Sequence, residues 1–399
     1  MRFIHTGDIH IDSDFHGSIN PRTGLNRAWE SNRDALASAV EAAVALKLSA
    51  FIISGDLFKN GRPSTEAVLM IFEALLPLVE AGIPIIILGG NHDSTLVASN
   101  HRTPTVLLAE LLSRQGGEVH VVERDPRLVT TTTGMQVVCV PWLSKATLLT
   151  SSSEENLDPA AGDRLVVDRA LSAIEDMVNQ SDTGSPLVFA SHVTVDDVRL
   201  DVAPGRRGSE VQMAHLFAEP VIPRAALEQF GFAYGALSHI HARQQVGKGN
   251  LWYAGAPNRF TVADADKPKS VNLVTITAGQ TAVAHIPTQA RPMRTIDLSD
   301  PSAYQQIEEM DPGVMLDVTL EPGQPVVPAE ALAMIGKVGG RVINTRHVAV
   351  ATDDAPAPVA ALPERIDPVT ALRSWLTERD VSGVDRIMDV AADVIEEDA

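Results

Sequence analysis

The chain has 399 residues, of which 45% are hydrophobic, so it is long enough for two or three domains with sizeable cores. Its formal net charge of −19 argues against a long basic surface for nonspecific nucleic-acid binding. The single cysteine, Cys139, excludes a disulfide framework within the chain and favours a reducing compartment. A strand-like run from the first residues leaves no place for a signal peptide, and no apolar run is long enough to span a membrane, so we expect a cytoplasmic protein.

Strand-like and helical patterns alternate in the first part of the chain. Apolar runs at 2–5, 50–54 and 84–88 predict buried strands, and segments with helical patterning at 27–48 and 64–81 predict helices. This order predicts an α/β domain whose parallel strands are covered on both faces.

Shorter elements follow along the rest of the chain. We predict helices at 104–114 and 163–179 and strands at 136–140, 187–190, 233–236, 251–253, 271–276 and 282–286. After a boundary at 287–294, a strand at 313–320, a helix at 328–335 and a strand at 341–348 predict a small α+β unit. A stretch at 351–365 that is rich in Pro and Ala predicts a linker, and two amphipathic helices are expected to close the chain.

Asp, Asn and His side chains follow five of the predicted strands. Because the carboxyl ends of the strands in an open α/β sheet collect ligands, we expect these side chains to meet in one place. They are Asp8 and His10 after the first strand, Asp56 after the second, Asn91, His92 and Asp93 after the third, His192 after 187–190, and His239 and His241 after 233–236.

This mixture of side chains indicates a site for two divalent metal ions. Oxygen and imidazole ligands without a thiolate suit Mn, Fe or Zn, and a carboxylate such as Asp56 can bridge two ions, as in two-metal hydrolases. His92 and Asp93 are the candidate catalytic residues, with His92 placed to donate a proton toward a leaving oxygen. Gly-Asn-His-Asp is moderately specific and the other motifs are weak alone, but all five in this order favour a dinuclear site. The other histidines fit no ligand pattern, and His5 on the first strand is the exception to test.

These motifs resemble those of the calcineurin-like metallophosphoesterases, and within that superfamily the SbcD-type nucleases of DNA double-strand-break repair. The superfamily motifs are His-Thr-Gly-Asp8-Ile-His10, Gly-Asp56-Leu-Phe, Gly-Asn91-His92-Asp93, Ser-His192 and His239-Ile-His241. The SbcD branch is indicated by Arg62-Pro63-Ser64, Gly208-Ser209-Glu210, Tyr253-Ala254-Gly255-Ala256-Pro257 and the segment from Arg291-Pro292-Met293-Arg294 onward. The resemblance is strong to about residue 262 and looser afterwards.

The resemblance implies a set of roles and an architecture. One ion, most often Mn²⁺ in this family, would take Asp8, His10, Asp56 and His241, and the other Asp56, Asn91, His192 and His239, with His92 as the transition-state histidine. The implied fold is a metallophosphoesterase β-sandwich flanked by helices (1–290), a small α+β capping domain that contacts DNA (291–350), a linker (351–366) and a helical segment (367–399). That segment would bind a coiled-coil ATPase subunit of the SbcC type, the alternative being that its helices cap their own domain; its position after the Pro-rich linker favours the partner. The protein would be a homodimer.

Three positions depart from the family pattern. Lys59 stands where relatives tend to have His or Asp near the catalytic histidine, and its ammonium group cannot accept a hydrogen bond from the imidazole. Asp12 and Ser238 stand where glycine is common. None of the three removes a ligand, but Lys59 puts the rate and the polarity of cutting in question.

Three functions therefore compete. The first is a Mn-dependent DNA nuclease, and the second is a phosphodiesterase or phosphatase for small nucleotides or phosphoproteins, since the same metal motif serves both. The third is a non-catalytic subunit of an ATPase complex, which only Lys59 favours. The long C-terminal extension favours the nuclease. Scattered arginines are candidates for contacts to DNA phosphates, namely Arg22, Arg27, Arg33, Arg62, Arg102, Arg206, Arg207 and Arg243, together with Lys59.

Overall fold

A computed structural model describes residues 1–93, 102–143, 145, 157–182, 184–199, 219–321, 323–347, 384 and 388. The chain divides into two compact units, Met1–His347 and Val348–Ala399. The predicted linker at 351–366 lies outside the described residues, as does nearly all of the predicted helical segment at 367–399. Within the described ranges, no helix has the length and apolar character needed to cross a membrane.

The first sheet has six strands and contains the predicted β-α-β-α-β order. The four strands that come first in the chain are parallel to one another. One later strand pairs with the first of them in antiparallel fashion, and the last strand pairs with that later strand, also antiparallel. The strands are β1 (Arg2–Thr6), β2 (Ala50–Ile53), β3 (Ile85–Leu88), β4 (Val119–Val122), β13 (Ser270–Thr277) and β14 (Gln280–Pro287), in the order β14-β13-β1-β2-β3-β4.

Three helices cover the outer face of this sheet: α1 (Arg27–Ala45), α2 (Thr65–Glu80) and α3 (Pro104–Arg114). Asn26 and Ser64 begin α1 and α2, because their side-chain oxygens accept hydrogen bonds from backbone N–H groups of the first turns. The apolar faces of the helices pack on alternate residues of the strands, so this core is continuous.

The second sheet also has six strands and its own helical cover. The strands are β5 (Arg127–Thr130), β6 (Gln136–Val140), β7 (Leu187–His192), β10 (Tyr234–Ser238), β11 (Gln244–Val246) and β12 (Leu251–Tyr253), in the order β11-β12-β10-β7-β6-β5. The helices α4 (Pro159–Gln180) and α5 (Arg224–Gln229) supply residues to the core on its outer face, and β8 (Thr194–Val195) pairs with β9 (Val221–Ile222) beside it.

The two sheets pack face to face through a third core. Phe3, Ile52 and Leu88 of the first sheet share this core with Val188 and Ala236 of the second, all with no exposed surface. Cys139 packs in the same layer, where burial raises the pKa of its thiol to about 12, so it behaves as the core hydrophobe that the sequence predicts. The α/β sandwich flanked by helices is therefore confirmed.

A small unit follows the sandwich and has its own core. Its three parallel strands, β15 (Met293–Asp297), β16 (Met315–Leu320) and β17 (Arg341–His347), alternate with α6 (Ala303–Glu308) and α7 (Ala329–Lys337). The strand β15 and the helix α6 were not predicted from the sequence. The domain boundaries remain a prediction.

Candidate metal centre

The candidate ligands meet at the carboxyl ends of strands from both sheets. Asp8, Asp56 and Asn91 follow β1, β2 and β3 of the first sheet, while His192 ends β7 and His239 follows β10 of the second. Parallel strands direct their carboxyl ends to one edge of a sheet, and the packed sheets place these two edges together. The described structure thus brings every sequence-predicted ligand into one place.

Four of the candidate ligands adopt backbone conformations that residues other than glycine rarely adopt. Asp8, His10, Asp56 and His239 have φ angles of 51°, 42°, 55° and 96°, all in the left-handed region. Such residues collect at functional sites, where the surrounding structure holds the strain. Backbone hydrogen bonds stabilise these conformations in part. The N–H of Asp8 donates to the carbonyl oxygen of Gly55, and the N–H groups of Ile9 and His10 donate to the carbonyl oxygen of Asp56.

One cluster of ligand atoms consists of Asp8, His10 and His241. One ligand atom from each lies within 4.8 Å of the other two, and all three residues are buried. The Nε2 atoms of His10 and His241 are 3.2 Å apart. The N–H of His239 donates to Asp8 Oδ1 at 3.0 Å, which orients that carboxylate. Carboxylate and imidazole atoms at these distances suit a transition-metal ion.

The second cluster consists of Asp56, Asn91, His192 and His239. The Oδ1 atom of Asn91 is 3.0 Å from Nε2 of His192 and 3.2 Å from Nδ1 of His239. The Oδ2 atom of Asp56 is 3.3 Å from Nε2 of His192. One amide oxygen, one carboxylate oxygen and two imidazole nitrogens therefore converge.

Asp56 lies between the two clusters. Its Oδ2 atom is also 3.6 Å from His10 Nε2, and this buried oxygen has no hydrogen-bond partner of good geometry in the described part of the chain. A buried carboxylate oxygen without such a partner is costly unless a cation compensates it. Gly90 leaves room for this carboxylate, since a Cβ atom there would come within 2.0 Å of Asp56 Oδ1. The donor set therefore fits a pair of divalent ions that share Asp56.

The electrostatics of the cluster also favour a cation. Burial alone would lower the pKa of His192, but the negative charges of Asp56, Asp8 and Asp93 outweigh it and raise this pKa to about 9. Burial alone would raise the pKa of Asp56, but His192 and His10 hold it well below its usual range. The site thus strongly attracts positive charge.

Neighbouring groups orient the rings of His192 and His239. The Nδ1 atom of His192 is 3.1 Å from the Ser54 carbonyl oxygen, and Nε2 of His239 is 3.1 Å from a carboxylate oxygen of Glu219. An N–H that donates to each of these oxygens leaves the other ring nitrogen as a lone-pair ligand. Sequence reasoning missed Glu219, because no motif or strand end marks it.

The ring of His92 is oriented by a backbone carbonyl. Its Nδ1 atom is 2.8 Å from the carbonyl oxygen of Lys59, and its ring lies edge-on to that of His10, with centroids 5.0 Å apart. Asp12 Oδ1 in turn accepts a hydrogen bond from the Lys59 N–H at 2.7 Å. The orienting acceptor at position 59 is therefore the main chain, so the lysine side chain does not remove it. Asp12 and Lys59, two of the departures from the family pattern, are thus joined by a hydrogen bond.

Asp93 binds the main chain rather than facing the clusters. Its buried carboxylate accepts hydrogen bonds from the N–H groups of Leu57, Phe58 and Gly90 at 3.2, 2.9 and 3.0 Å. Burial and the charge of Asp56 raise the pKa of Asp93 to about 7. These contacts join the segment after β2 to the segment after β3, which gives Asp93 a positioning role.

His5 belongs to a buried network beneath the clusters. Its ring nitrogens lie 2.8 Å from the Tyr234 hydroxyl and 3.0 Å from the Ser54 hydroxyl, and burial lowers the pKa of His5 to about 3. Ser54 also bonds Ser238, which places the third departure from the family pattern in this network. His5 is therefore a neutral core residue.

Some of the arginines that the sequence offered as phosphate contacts have other partners. Arg33 pairs with Asp34, Arg102 pairs with Glu110, and Arg243 donates to the Ser270 hydroxyl. Arg206, Arg207 and the segment 208–210 lie outside the described residues.

The chain is similar to known proteins over the region that contains the candidate ligands. The family model of calcineurin-like phosphoesterases matches residues 1–243. The chain is 29% identical over 303 residues to the SbcD component of the SbcCD nuclease of Rhodobacter capsulatus, covering 72% of this chain and 69% of the relative. It is 24% identical over 339 residues to the SbcD component of the SbcCD nuclease of Escherichia coli K12, covering 80% of this chain and 78% of the relative. A solved dimetal phosphatase from Danio rerio is similar with a TM-score of 0.40 at 10% identity, over 72% of this chain and 96% of that chain.

Proposed function

Because the chain belongs to the calcineurin-like phosphoesterase family, and so is a metal-dependent phosphoesterase, we propose that it is a Mn²⁺-dependent DNA nuclease. It would be exonucleolytic on duplex ends and endonucleolytic on single strands. The observation that carries the chemistry is the buried Asp56 Oδ2, which lies between His10 and His192 in two adjoining clusters. DNA as the substrate is supported by the similarity to SbcCD nuclease components over most of both chains.

The ligands divide between two ions. Asp8, His10, Asp56 and His241 would hold one, and Asp56, Asn91, His192 and His239 would hold the other. When bound, the pair supplies Lewis-acid activation of the phosphodiester and of a water nucleophile. Oxygen and imidazole donors without a thiolate suit Mn²⁺, with Fe²⁺ and Zn²⁺ as competing ions.

His92 would move the proton in this reaction. With its Nδ1–H donated to the Lys59 carbonyl, the protonated ring offers Nε2–H to the oxygen that leaves phosphorus. Asp93 keeps His92 in register by holding the backbone of the segments that follow β2 and β3.

The assembly is proposed from the relatives and from the surface. An SbcC-type coiled-coil ATPase is the proposed partner, since the relatives are components of SbcCD, and the C-terminal segment 367–399 is the proposed contact. A homodimer is supported by Leu69 on α2 and Leu107 on α3, which are 44% and 41% exposed on two helices that pack together.

The test compares two substrates and two proteins. Wild type and His92→Ala are incubated with Mn²⁺ and either end-labelled linear duplex DNA or bis(p-nitrophenyl) phosphate. We expect wild type to degrade the DNA and the variant to lose on the order of 100-fold or more in rate. Cutting of the small diester alone, even with an ATPase partner present, would replace the nuclease by a small-substrate phosphodiesterase. Metal binding without cutting of either substrate would favour a structural subunit.

A further inference from the structure

Three arginines surround a cleft between the sandwich and the small three-stranded unit. Arg27 is the first residue of α1, Arg291 precedes β15, and Arg341 is the first residue of β17. The cleft has a volume of about 430 Å³, and the hydroxyl-bearing residues Ser18 and Ser31 also line it. None of the candidate metal ligands lines this arginine cleft, so it is separate from the metal centre.

The positive charges of the arginine cleft are not balanced by nearby carboxylates. Burial and the charge of Arg341 lower the pKa of Arg291 to about 10, and burial and Arg27 lower the pKa of Arg341. Within the described ranges, none of the three guanidinium groups forms an ion pair. Like charges held together in this way destabilise the folded chain unless an anion binds among them.

Two carboxylates interact electrostatically with these arginines, but both have other hydrogen-bond or ion-pair partners. Asp264 attracts Arg291 but is paired with Lys269 at 2.7 Å. Glu30 interacts with Arg27 but accepts hydrogen bonds from the side chains of Asn20 and Thr23. The cleft therefore keeps a net positive potential in a chain whose net charge is −19.

The guanidinium of Arg291 is held rigidly. It donates to the carbonyl oxygen of Phe15 at 2.6 Å and twice to the carbonyl oxygen of Arg259, at 2.7 and 3.1 Å. These bonds use three of its five N–H groups, which leaves two for a ligand. A fixed guanidinium loses little conformational entropy when it binds a planar or tetrahedral oxyanion.

The chemistry of the lining identifies the kind of ligand. Forked guanidinium groups with hydroxyl donors match the oxygens of a phosphate, and the volume also admits the sugar beside it. Among the described residues, no aromatic side chain lines the cleft; the Phe15 ring packs against the Arg291 guanidinium, 5.4 Å from ring centroid to guanidinium carbon, but is not part of the lining. Contacts to a backbone phosphate would not depend on base sequence. We propose that the arginine cleft binds a backbone phosphate of a nucleic-acid strand, apart from the phosphate that is cut.

Hydrogen bonds connect the arginine cleft to the metal centre. The N–H of Arg291 donates to Asn258, and the Asn258 amide donates to Asn32 at 2.7 Å. The Asn32 amide in turn donates to the carbonyl oxygen of the metal ligand His10 at 3.0 Å. A strand held in the cleft would thus be positioned by the same framework that holds the ligands.

The test measures binding under conditions that prevent cutting. A short end-labelled single strand is titrated in EDTA with the full-length wild type and with Arg27→Gln/Arg341→Gln, and binding is followed by fluorescence anisotropy at several salt concentrations. We expect the dissociation constant to rise about tenfold or more and the slope of log K against log salt to fall by about 0.7, since one phosphate contact on a single strand is lost. Arg114→Gln/Arg164→Gln removes the same charge from exposed positions on α3 and α4 and should change neither quantity.

Competitors distinguish the source of the phosphate. Unlabelled strand should displace the probe from wild type, whereas inorganic phosphate, a mononucleotide and polyglutamate of equal charge should compete poorly. Equal losses in the two double variants, or competition by polyglutamate as strong as by the strand, would overturn the proposal. Tight binding of inorganic phosphate that the Arg27→Gln/Arg341→Gln variant loses, with strand binding unchanged, would replace the strand by a free phosphate.

This inference rests on the proposed nuclease function, but the two can fail separately. If wild type binds the strand through the cleft and cuts no DNA with Mn²⁺, the cleft stands and the nuclease falls. If DNA is cut and Arg27→Gln/Arg341→Gln binds the strand as wild type does, the nuclease stands and the cleft falls.

Discussion

Four of the candidate ligands hold a strained backbone. The left-handed backbone conformations of Asp8, His10, Asp56 and His239 each destabilise the folded chain by about 1–3 kcal/mol unless other interactions compensate for the strain. The strain places side chains from the two sheets within a few ångströms of one another. Metal binding would offset this cost, because it would neutralise the carboxylates that the same geometry brings together.

Asp12 is expected to act through His92, because it holds the N–H of Lys59 while the carbonyl of that residue holds the imidazole. In Asp12→Ala, kcat on DNA or on an alkyl phosphodiester should fall roughly tenfold, since a small misplacement of a proton donor is costly. The rate with a p-nitrophenyl leaving group should change little, because that group leaves without a proton. Asp12→Asn keeps an acceptor oxygen and should restore most of the rate.

The comparison of leaving groups separates positioning from damage. Both variants are loaded with Mn²⁺, and the metal content is measured beside kcat for each substrate. Equal losses on both substrates, or a loss in Asp12→Asn as large as in Asp12→Ala, would contradict the positioning role of Asp12.

The sequence could locate residues that are tied to strand ends but not those that only the fold brings close. Asp8, Asp56 and Asn91 each follow an apolar run, and that position alone predicts convergence. Glu219 contacts His239 from a distant segment that carries no strand-end signal. The sequence offered Arg27 as a phosphate contact, but the cleft joins it to Arg291 and Arg341 from distant parts of the chain, which composition and spacing do not reveal.

At the scale of elements, a short turn before β13 carries a buried ion pair. The 3₁₀ helix Val262–Asp264 is closed by a capping box, in which Asp264 Oδ2 accepts from the N–H and the hydroxyl of Thr261. The other oxygen of Asp264 lies 2.7 Å from Lys269 Nζ, and both side chains are less than a tenth exposed. The turn is therefore held by charge as well as by hydrogen bonds.

Asp264→Asn should lower the free energy of unfolding by about 3–5 kcal/mol, because it leaves the buried Lys269 ammonium without its counter-charge. Urea unfolding followed by tryptophan fluorescence measures the difference. The double variant Asp264→Asn/Lys269→Met should recover most of the loss, since no unpaired charge remains. A double variant that is as unstable as the single one would argue that the capping bonds, and not the ion pair, hold the turn.

The pH dependence of this pair has a definite sign. Burial alone would raise the pKa of Asp264, but Lys269 holds this pKa well below its usual range in the folded state. A lowered folded pKa contributes stability that is complete above the unfolded value, about 4, and is lost as the pH falls further. The difference in unfolding free energy between wild type and Asp264→Asn should be constant above about pH 5 and should shrink below about pH 4. A difference that grows on acidification would contradict this assignment.

Long or strongly apolar elements were predictable and short ones were not. The strand Gln136–Val140 and the helix Pro104–Arg114 have the predicted bounds. The strands β4 and β5 were missed, because four-residue strands with partly exposed side chains give little periodic signal. The helix predicted at 163–179 begins earlier, at Pro159, where Asp158 caps it. Periodicity predicted one covered sheet, and the second sheet came only from the family resemblance.

At the scale of the whole molecule, the local charge at the proposed binding sites differs from the net charge of the chain. A net charge of −19 repels a polyanion, yet the arginine cleft is a local positive site, and the candidate metal centre would become one with two divalent ions bound. Electrostatic steering to local positive sites on an acidic surface weakens nonspecific binding while it leaves specific contacts available. Nucleic-acid affinity should therefore depend on a few residues rather than on a broad basic face.

The outer face of α2 and α3 is expected to be the homodimer contact. In a two-fold dimer each substitution acts twice, and burial of one leucine contributes about 2 kcal/mol, so Leu69→Glu/Leu107→Glu should raise the dissociation constant at least 1,000-fold. Light scattering coupled to size-exclusion chromatography of the full-length chain should then report a dimer for wild type and a monomer for the variant. Leu332→Glu is the matched control, because Leu332 is 48% exposed on α7 of the small unit and should leave the dimer intact. A wild type that remains monomeric at micromolar concentration, or a double variant that remains dimeric, would place the two leucines outside any such contact.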